Sequence, residues 1–400
     1  MPIKIRIMIK INRQVLLIAL LVLTNIAWTQ NKAYLKGEYK KEAVGQQYTT
    51  HHQHQVDVID AVKKPDAKIR NIILMIGDGM GVSHVFAGIT ANNDQLYLEY
   101  ANKVGLSKTK SKNKYKTDSA AGGTAISTGI KTNNGFIGMT PDSLTQKSIL
   151  EYAADNDKAT GMVAACKITH ATPASFIAHV PSRKMYDDIA EFFITDKIDV
   201  FIGGGLDNFN KREDGKNLIP DLKTSGFQVV TTKDELNNIH SGKVAALLTG
   251  GHIARYPERG EFLPESTQKA IEILSQDKNG FFLMVEGSQI DWGGHDNDLG
   301  YVVEEMLDFD RAIGEVLKFA QEDGHTLVII TADHETGGLS IHDAHPAKGE
   351  LEGRFTTSSH SSVMVPVFAY GPGADQFSGI YENTELFNKM MRAFGFKLEK

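Results

Sequence analysis

The sequence predicts an α/β fold with a large, mostly parallel central sheet and helices on both of its faces. Six short apolar runs recur from about residue 66 onward, and runs of this length are typical of strands buried on both faces of a parallel sheet. Longer amphipathic stretches separate the runs and leave room for helices. The predicted strands are residues 71–76, 160–165, 199–202, 281–285, 326–331 and 365–370.

Acidic and histidine side chains directly follow three of these runs. In an open α/β sheet, ligands bind at the edge formed by the carboxyl ends of the strands. One such coincidence would carry little weight, because loops are polar in any case. Three of them predict a binding site at that edge. The side chains are Asp78 after the first run, Glu286 after the fourth, and Asp333 and His334 after the fifth.

The residue types around this edge are those of a metal centre. Mixed carboxylate and imidazole sets suit Zn²⁺, whereas an all-oxygen subset would suit Mg²⁺. Asp291 and His295 are four residues apart, which places them on one side of a helical turn or a tight loop. The spacing is only moderately specific, since the chain has neither an HExxH motif nor a CxxC pair. The candidate ligands are Asp78, Glu286, Asp291, His295, Asp333, His334 and His360.

Residues 116–125 read KTDSAAGGTA and place a serine ahead of a run of very small residues. A helix made of Ala, Gly and Thr can lie close to the sheet, with its N-terminal amides facing an anion. The hydroxyl of Ser119 would be a weak nucleophile until a base or a metal activates it. The alternative is that Asp118 and Ser119 only cap the helix, because both residue types are favoured at that position.

A further polar stretch, residues 168–184, offers His170, Thr172 and Arg183. A guanidinium group can bind two phosphate oxygens at once, which a lysine cannot do. A threonine hydroxyl can supply an oxygen ligand to a hard cation. Taken alone, Arg183 could instead form a surface ion pair, which is the ordinary role of an isolated arginine.

The first 29 residues predict a secretory signal peptide, and hence a secreted or periplasmic protein. Basic residues precede the apolar run 15–23, and no acidic residue occurs before Glu38. Nine apolar residues are few for a bilayer span, and an uncleaved membrane anchor is the alternative. Residues 30–65, with the sequence HHQHQ, are predicted to form an N-terminal arm, and residues 66–400 a single catalytic domain.

Charge and cysteine content narrow the functional classes. Loss of residues 1–29 would remove four positive charges and no negative one, which changes the net charge from −6 to −10. Phosphates repel so acidic a protein, so we expect no nucleic-acid partner. No other stretch could span a membrane, so we expect no membrane partner after cleavage. Phosphate chemistry would then depend on local positive charge from arginine or metal. The single cysteine, Cys166, allows no intrachain disulfide and ends an apolar run, which predicts a core position.

Together these motifs resemble those of the alkaline phosphatases. The matching segments extend from about residue 71 to 374 in the family's order. The resemblance implies an alkaline-phosphatase-like fold with a small surface insertion, because the segment between Thr336 and His360 is short where larger members carry a surface domain. It also implies a homodimer. The segments include IGDGMG, TDSAAGGTA, THATPASFIAHVPSRK, VFIGGG, FFLMVEGSQIDWGGH, TLVIITADHETGG and HSSVMVPVFAYGPGA.

The resemblance also implies a role for each candidate residue. Ser119 corresponds to the nucleophile that becomes phosphoserine, Arg183 to the residue that binds the substrate phosphate, and Asp118 to a residue that positions this arginine. The implied ligand sets are Asp291, His295 and His360 for one Zn²⁺, Asp78, Asp333 and His334 for a second Zn²⁺, and Asp78, Thr172 and Glu286 for one Mg²⁺.

Two further positions, His170 and Trp292, vary within the family and tune the third metal near the substrate. Some relatives have Asp and Lys there, and others have two histidines. A tryptophan can neither ligate a metal nor hold a phosphate-bound water as a lysine would. The affinity and identity of the third metal are therefore the point at which this chain departs from the family pattern.

The implied function is hydrolysis of a broad range of phosphate monoesters to an alcohol and inorganic phosphate. The nearest alternative is a phosphodiesterase of the same superfamily, although such relatives typically lack the arginine and the Mg²⁺ ligands. A sulfatase would need a C/S-x-P-x-R setting, which neither Cys166 nor Ser119 has. A non-catalytic zinc- or phosphate-binding protein is the alternative from another class, but structural zinc sites have four protein ligands and these sets have three.

Overall fold

The computed structural model describes residues 45–397, so the predicted signal peptide and the first part of the predicted arm lie outside the described residues. The strands are β1 (Gln46–Thr49), β2 (Asn71–Gly77), β3 (Lys103–Lys108), β4 (Ala159–Lys167), β5 (Val200–Gly204), β6 (Gln228–Val230), β7 (Val244–Leu247), β8 (Phe281–Gly287), β9 (Thr326–Thr331), β10 (Glu335–Thr336), β11 (Ser340–His345), β12 (Glu350–Arg354), β13 (His360–Ser361), β14 (Val365–Tyr370) and β15 (Gly379–Glu382).

Helices occupy most of the connections between strands. They are α1 (Val82–Ala91), α2 (Ser119–Thr128), α3 (Ile149–Asp155), α4 (Ala171–Ala174), α5 (Tyr186–Glu191), α6 (Asp207–Asn210), α7 (Ile219–Thr224), α8 (Lys233–Asn237), α9 (Phe262–Leu274), α10 (Ile290–His295), α11 (Leu299–Asp323) and α12 (Thr384–Phe394). No helix within residues 45–397 is both long and apolar enough to cross a membrane.

The central sheet has ten strands in the order β15-β3-β14-β9-β2-β8-β4-β5-β7-β6. Strand β14 pairs antiparallel with both of its neighbours, and every other pairing in this sheet is parallel. All six apolar runs predicted as strands form strands of this sheet. The prediction of a large, mostly parallel sheet is confirmed.

Helices cover both faces of the sheet, as the buried apolar runs predicted. All seven residues of β2 are buried, and alternate side chains enter two different apolar clusters because successive strand residues point to opposite faces. Ile73 and Met75 pack in the cluster that includes residues of α1, α9 and α11. Leu74 and Ile76 pack in the cluster that includes residues of α2, α3 and α12.

The reversed strand β14 explains why residues distant in sequence meet at one edge. Its residue Val367 pairs with Thr331, close to the carboxyl end of β9. Its residue Val365 pairs with Ser107, close to the carboxyl end of β3. The segment that precedes β14 therefore lies at the edge where the parallel strands end, and β13 brings His360 to that edge.

A small second sheet has three strands, two of which come between β9 and β14 in the chain. Strands β11 and β12 form an antiparallel hairpin, and β1 pairs with β12. The described part of the predicted arm therefore begins as a sheet strand. Further along it, the imidazoles of His52 and His54 lie 2.9 Å from Glu304 and 2.8 Å from Asp310 respectively.

A buried ion-pair cluster ties α11 to the loop that precedes α9. The side chain of Arg259 is 2% exposed, and its Nη2 lies 2.6 Å from carboxylate oxygens of both Glu305 and Asp308. Burial raises the pKa of Asp308 to about 7, against the lowering effect of Arg259. The guanidinium is thus the group that balances two carboxylates held out of water.

We expect Arg259→Ala to lower the free energy of unfolding by about 3–5 kcal/mol, because it leaves two buried carboxylates without their cation. Arg255→Ala is the matched control, since the Arg255 side chain is 52% exposed and such surface charges contribute less than about 1 kcal/mol. Urea denaturation midpoints of the two variants would test this. Equal midpoints would contradict the assigned role of Arg259.

Candidate active site

Helix α2 begins at Ser119 and lies unusually close to the sheet edge. The carboxylate of Asp118 caps the helix, because its Oδ1 accepts a hydrogen bond from the backbone N–H of Ala121 at 3.0 Å. All ten helical residues are buried. A Cβ atom at Gly122 would lie only 2.9 Å from the carbonyl oxygen of Asp333. The small residues therefore let the serine approach the loop that follows β9.

The first candidate ligand cluster consists of Asp78, Asp333 and His334, all fully buried. The Nε2 atom of His334 lies 3.4 Å from Asp78 Oδ1 and 3.3 Å from Asp333 Oδ2. It also lies 3.2 Å from the hydroxyl oxygen of Ser119. The serine is therefore in direct contact with this ligand set.

The second candidate cluster consists of Asp291, His295 and His360. The Nε2 atoms of the two histidines are 3.1 Å apart, and they lie 3.5 Å and 3.6 Å from Asp291 Oδ1. The hydroxyl of Thr336 donates a hydrogen bond to the same carboxylate. Asp291 is buried, whereas both histidines are only partly buried, so this cluster has its more accessible side at the imidazoles.

The hydrogen bonds around the second cluster fix which ring nitrogens are free. His295 Nδ1 lies 2.9 Å from the carbonyl oxygen of Ser358, and His360 Nδ1 lies 2.8 Å from that of Thr117. A carbonyl only accepts, so each Nδ1 donates and each neutral ring keeps a lone pair on Nε2. Two such lone pairs facing each other would repel, and the two imidazoles and Asp291 would instead coordinate a bound cation.

The first cluster fits a cation for a different reason. Asp78 Oδ1 and Asp333 Oδ2 are buried and accept no hydrogen bond from any residue in 45–397. Burial raises the pKa of both carboxyls, and neighbouring carboxylates raise that of Asp78 further. Burial also lowers the pKa of His334. A divalent cation is what would hold two buried carboxylates ionised beside a neutral imidazole.

A third cluster surrounds Glu286 on β8. One carboxylate oxygen accepts hydrogen bonds from the hydroxyl of Ser288 at 2.6 Å and the thiol of Cys166 at 3.3 Å. The other oxygen, Oε1, has no hydrogen-bond partner among the described residues. Thr172 Oγ1 lies 3.4 Å from Asp78 Oδ2, which joins this group to the first cluster. Cys166 is thus buried as expected, but it contacts a candidate ligand, which sequence reasoning missed.

The arginine predicted to bind phosphate is held beside the start of α2. Arg183 Nη1 lies 3.2 Å from Asp118 Oδ2, and its Nη2 lies 3.4 Å from His170 Nε2. Burial opposes the charge of Arg183, but Asp118 and Asp78 raise its pKa overall. Backbone N–H groups of Gly135 and Ala121 also donate to Asp118, so the carboxylate is fixed from several sides.

Trp292 stands next to His170, and both contact a residue that sequence reasoning missed. The rings of His170 and Trp292 have centroids 6.2 Å apart. His252 packs edge-on against Trp292 with its centroid at 4.8 Å, and against His170 at 5.6 Å. His252 follows strand β7, and its position after a buried apolar run was the signal that could have identified it. The structure thus gathers all predicted site residues at one sheet edge.

Comparison with known proteins shows the family of the chain. A family model described as alkaline phosphatase matches residues 69–352. The chain belongs to the alkaline phosphatase family. It is 36% identical to alkaline phosphatase 4 of Bacillus subtilis (strain 168), over 84% of this chain and 90% of that protein. It is 32% identical to alkaline phosphatase of Escherichia coli (strain K12), over 83% and 87% of the two chains.

The fold agrees with the family as well. The solved alkaline phosphatase from the Antarctic bacterium TAB5 superposes with a TM-score of 0.79 at 42% identity, covering 83% of this chain and 99% of that one. Two histidine variants of that protein have Mg bound in the M3 site. The predicted family, fold and enzyme class are confirmed. The chain is thus a phosphoric monoester hydrolase of this family, and its three clusters are candidate sites for the family's metal cofactors.

The pKa of Glu286 yields a prediction for the metal-free protein. Burial raises this pKa from 4.5 to about 7, so the folded state holds the proton more tightly than the unfolded state. The resulting stabilisation is present below pH 4.5 and is lost as the pH rises to 7. Metal-free wild type should therefore lose on the order of 3 kcal/mol between pH 4.5 and 8 relative to Glu286→Gln.

Chemical denaturation in the presence of a chelator, repeated across this pH range, would measure the difference. Glu322→Gln is the control, since Glu322 is an exposed carboxyl on α11. It should give the same pH dependence as wild type. Parallel curves for Glu286→Gln and wild type would show that Glu286 is not protonated in the metal-free fold.

Proposed function

We propose that this chain is an exported enzyme that hydrolyses a broad range of phosphate monoesters through a phosphoserine at Ser119, with two Zn²⁺ and one Mg²⁺. The observation that carries the proposal is the position of the serine. Its hydroxyl oxygen lies at the first turn of α2 and 3.2 Å from the Nε2 atom of His334. A nucleophile, a ligand set and the amides of a helix N-terminus therefore meet at one point.

The chain's own groups account for how the substrate phosphate would be held. The guanidinium of Arg183 is fixed by Asp118, so its remaining N–H groups are oriented before substrate arrives. The N-terminal amides of α2 offer further donors to the non-bridging oxygens. Because both sets of donors are already in place, binding needs little reorganisation, and they stabilise the charge that develops on phosphorus oxygens in the transition state.

The reaction then proceeds in two displacements. Ser119 Oγ forms a bond to phosphorus as the ester bond breaks. The serine hydroxyl gives its proton to solvent, and the departing oxygen takes up a proton from solvent to leave as the alcohol. Water next attacks the phosphoserine and releases inorganic phosphate, which restores the hydroxyl. Zinc in the two clusters would favour ionisation of the serine hydroxyl and stabilise the negative charge on the departing oxygen.

Monoesters are favoured over diesters by the residues around Arg183. A monoester presents three non-bridging oxygens, and the arginine with the helix amides can bind them together. A diester has one fewer free oxygen and a second bulky substituent in their place. Thr172, whose hydroxyl lies beside Asp78, and Glu286, which belongs to a candidate metal group with Cys166 and His170, would also offer the hard oxygen ligands that suit Mg²⁺.

The third metal site is proposed to bind Mg²⁺ weakly. His170 and Trp292 stand where a carboxylate and a lysine would strengthen an all-oxygen environment. His170 is buried, and burial together with the charge of Arg183 lowers its pKa, so it is a neutral nitrogen donor. In the TAB5 enzyme, variants in which a histidine is replaced by Asp or Glu have Mg bound in the M3 site, which supports the idea that a histidine in place of a carboxylate affects the metal preference.

Export and a homodimer complete the proposal. The basic and apolar N-terminal segment supports export. An apolar pair on α1 supports a protein interface: Val82 and Phe86 are four residues apart on one helical face, and 56% and 53% of their surfaces are exposed. Large apolar side chains that are exposed next to each other suit contact with a second copy of the chain.

Turnover of p-nitrophenyl phosphate tests the reaction. We expect no activity after metal removal, activity on return of Zn²⁺, and a further increase with Mg²⁺. Ser119→Ala should lower kcat by about a thousand-fold or more. Ser127→Ala is the matched control on the same helix, because its hydroxyl donates to the carbonyl of Ser175 rather than to the site.

Turnover of bis-p-nitrophenyl phosphate under the same conditions separates the monoesterase from a diesterase. The proposal requires the monoester to be the better substrate. Faster diester hydrolysis would favour the diesterase alternative, and tight zinc binding without any turnover would favour a non-catalytic metal protein. Full activity in Ser119→Ala would exclude the phosphoserine.

Trp292→Lys tests the third site. A lysine can hold a phosphate-bound water, so we expect the variant to bind Mg²⁺ more tightly and to depend on it more strongly for activity. Calorimetric titration of Mg²⁺ into the zinc-loaded protein measures the affinity directly, with Trp292→Phe as the control that keeps an aromatic ring. Unchanged affinity in Trp292→Lys would show that this position does not set the preference.

A further inference from the structure

A lysine-rich segment leads from β3 into the active site and has no role in the chemistry above. This segment, the lysine loop, comprises residues 108–116 with the sequence KTKSKNKYK. All five of its lysines are exposed, whereas Thr109 and Ser111 between them are buried. The alternation of inward hydroxyl side chains with outward lysines places the positive charges together on the solvent side of the loop.

The lysine loop lies against the active site. Lys116 Nζ donates to the hydroxyl of Ser359 at 2.8 Å, and Ser359 immediately precedes the candidate ligand His360. The residue after the loop, Thr117, accepts a hydrogen bond from His360 Nδ1 at 2.8 Å. Ser119 follows two residues later. A ligand bound along the loop therefore leads towards the nucleophile.

Most of this positive charge is not neutralised. Lys108 pairs with Glu382 at 2.8 Å, and Lys131 beside the loop pairs with the same carboxylate at 3.2 Å. No carboxylate within residues 45–397 forms an ion pair with Lys110, Lys112 or Lys114. The chain as a whole is acidic, so the loop is a local reversal of charge, and local charge is what attracts a polyanion at short range.

An aromatic side chain stands within this cluster of charges. Tyr115 is 75% exposed. Together with Lys110 it lines two adjoining cavities, of about 450 and 360 Å³. The first is formed by the lysine loop and Lys131, and the second extends to Ser362 and Met364, just beyond His360. The two cavities form a surface groove that combines lysines, an exposed tyrosine and apolar atoms next to the catalytic site.

We propose that the lysine loop binds the backbone of a single-stranded oligonucleotide whose terminal phosphate monoester enters the site at Ser119. Lys110, Lys112 and Lys114 would contact backbone phosphates, and Tyr115 would stack on a base. Lysines that follow a backbone, with an aromatic ring for the bases, are the combination by which proteins bind single strands without reading sequence. The entry of the terminal phosphate rests on the function proposed above, whereas binding of the strand does not.

The net negative charge of the whole chain predicts repulsion of nucleic acid, but the lysine loop concentrates positive charge in one place. Net charge governs the field at long range, which salt screens within about 10 Å. Contacts between adjacent lysines and phosphates act inside that distance. The proposal therefore predicts affinity that depends strongly on salt and on strand length, with a single nucleotide gaining little.

Strand binding is measured first, because it needs no turnover. A fluorescent octathymidylate without a terminal phosphate is titrated with metal-loaded protein, and anisotropy is followed at several salt concentrations. The variant Lys110→Gln/Lys112→Gln/Lys114→Gln should bind at least ten-fold more weakly, with a salt slope smaller by about 2, since each lost contact removes about 0.7. Tyr115→Ala should weaken binding by about ten-fold.

The control variant is Lys64→Gln/Lys223→Gln/Lys278→Gln, which removes three exposed lysines outside the loop and makes the same change in net charge. It should bind the strand as wild type does. Equal weakening in both triple variants would show a general charge effect and overturn the site. Inorganic polyphosphate that competes as well as the oligonucleotide, with no effect of Tyr115→Ala, would overturn the nucleotide as the ligand.

Turnover is measured second, with 5′-phosphorylated octathymidylate and p-nitrophenyl phosphate as substrates. The ratio of their kcat/KM values should fall about ten-fold in the triple loop variant and stay constant in the control variant, because only the strand uses the loop. An unchanged ratio would overturn the link between loop and active site. Lysine-dependent binding with no hydrolysis of either substrate would instead reject the proposed function and leave the strand site standing.

Discussion

The sheet brings several carboxylates to one edge, and the rest of the active site is arranged to offset the repulsion among them. Asp78, Asp333 and Glu286 are fully buried there, and their pKa values are all raised. Burying several like charges is among the least favourable arrangements in a protein unless cations balance them. Positive charge at this edge therefore stabilises the folded state. Bound metal ions, the guanidinium of Arg183 and the N-terminal amides of α2 would supply this positive charge.

The need for positive charge close to these carboxylates also explains the small residues in α2. A helix N-terminus lowers the energy of nearby negative charge only over its first turn, so distance decides its effect. Gly122 allows the backbone of α2 to touch that of the loop at Asp333. Any larger side chain would separate the helix amides and Ser119 from the charges they act on. Packing and electrostatics therefore both require small residues in this segment.

Sequence reasoning found the strands and ligands whose signals are local. The apolar runs identify buried strands, and Asp78 and Asp333 follow such runs directly. It did not identify β3, β6, β7 or β15. Strands β3 and β15 are partly exposed and lack a continuous apolar run, and β6 and β7 are only three and four residues long. Cys166 and His252 were missed as neighbours of the site because tertiary packing alone brings them there. The lysine loop was missed because the net charge of the whole chain does not show where positive charges cluster.

The reversed direction of β14 makes the second ligand cluster depend on the last part of the chain. The pairing of β14 with β9 and β3 holds the segment that carries His360 at the sheet edge. The other candidate ligands precede it by between 26 residues, for His334, and 282 residues, for Asp78. A chain that ends before His360 therefore has the complete first cluster but lacks one ligand of the second. Such a truncated chain would have one complete ligand set fewer, so the number of bound metal ions would distinguish it from the full-length protein.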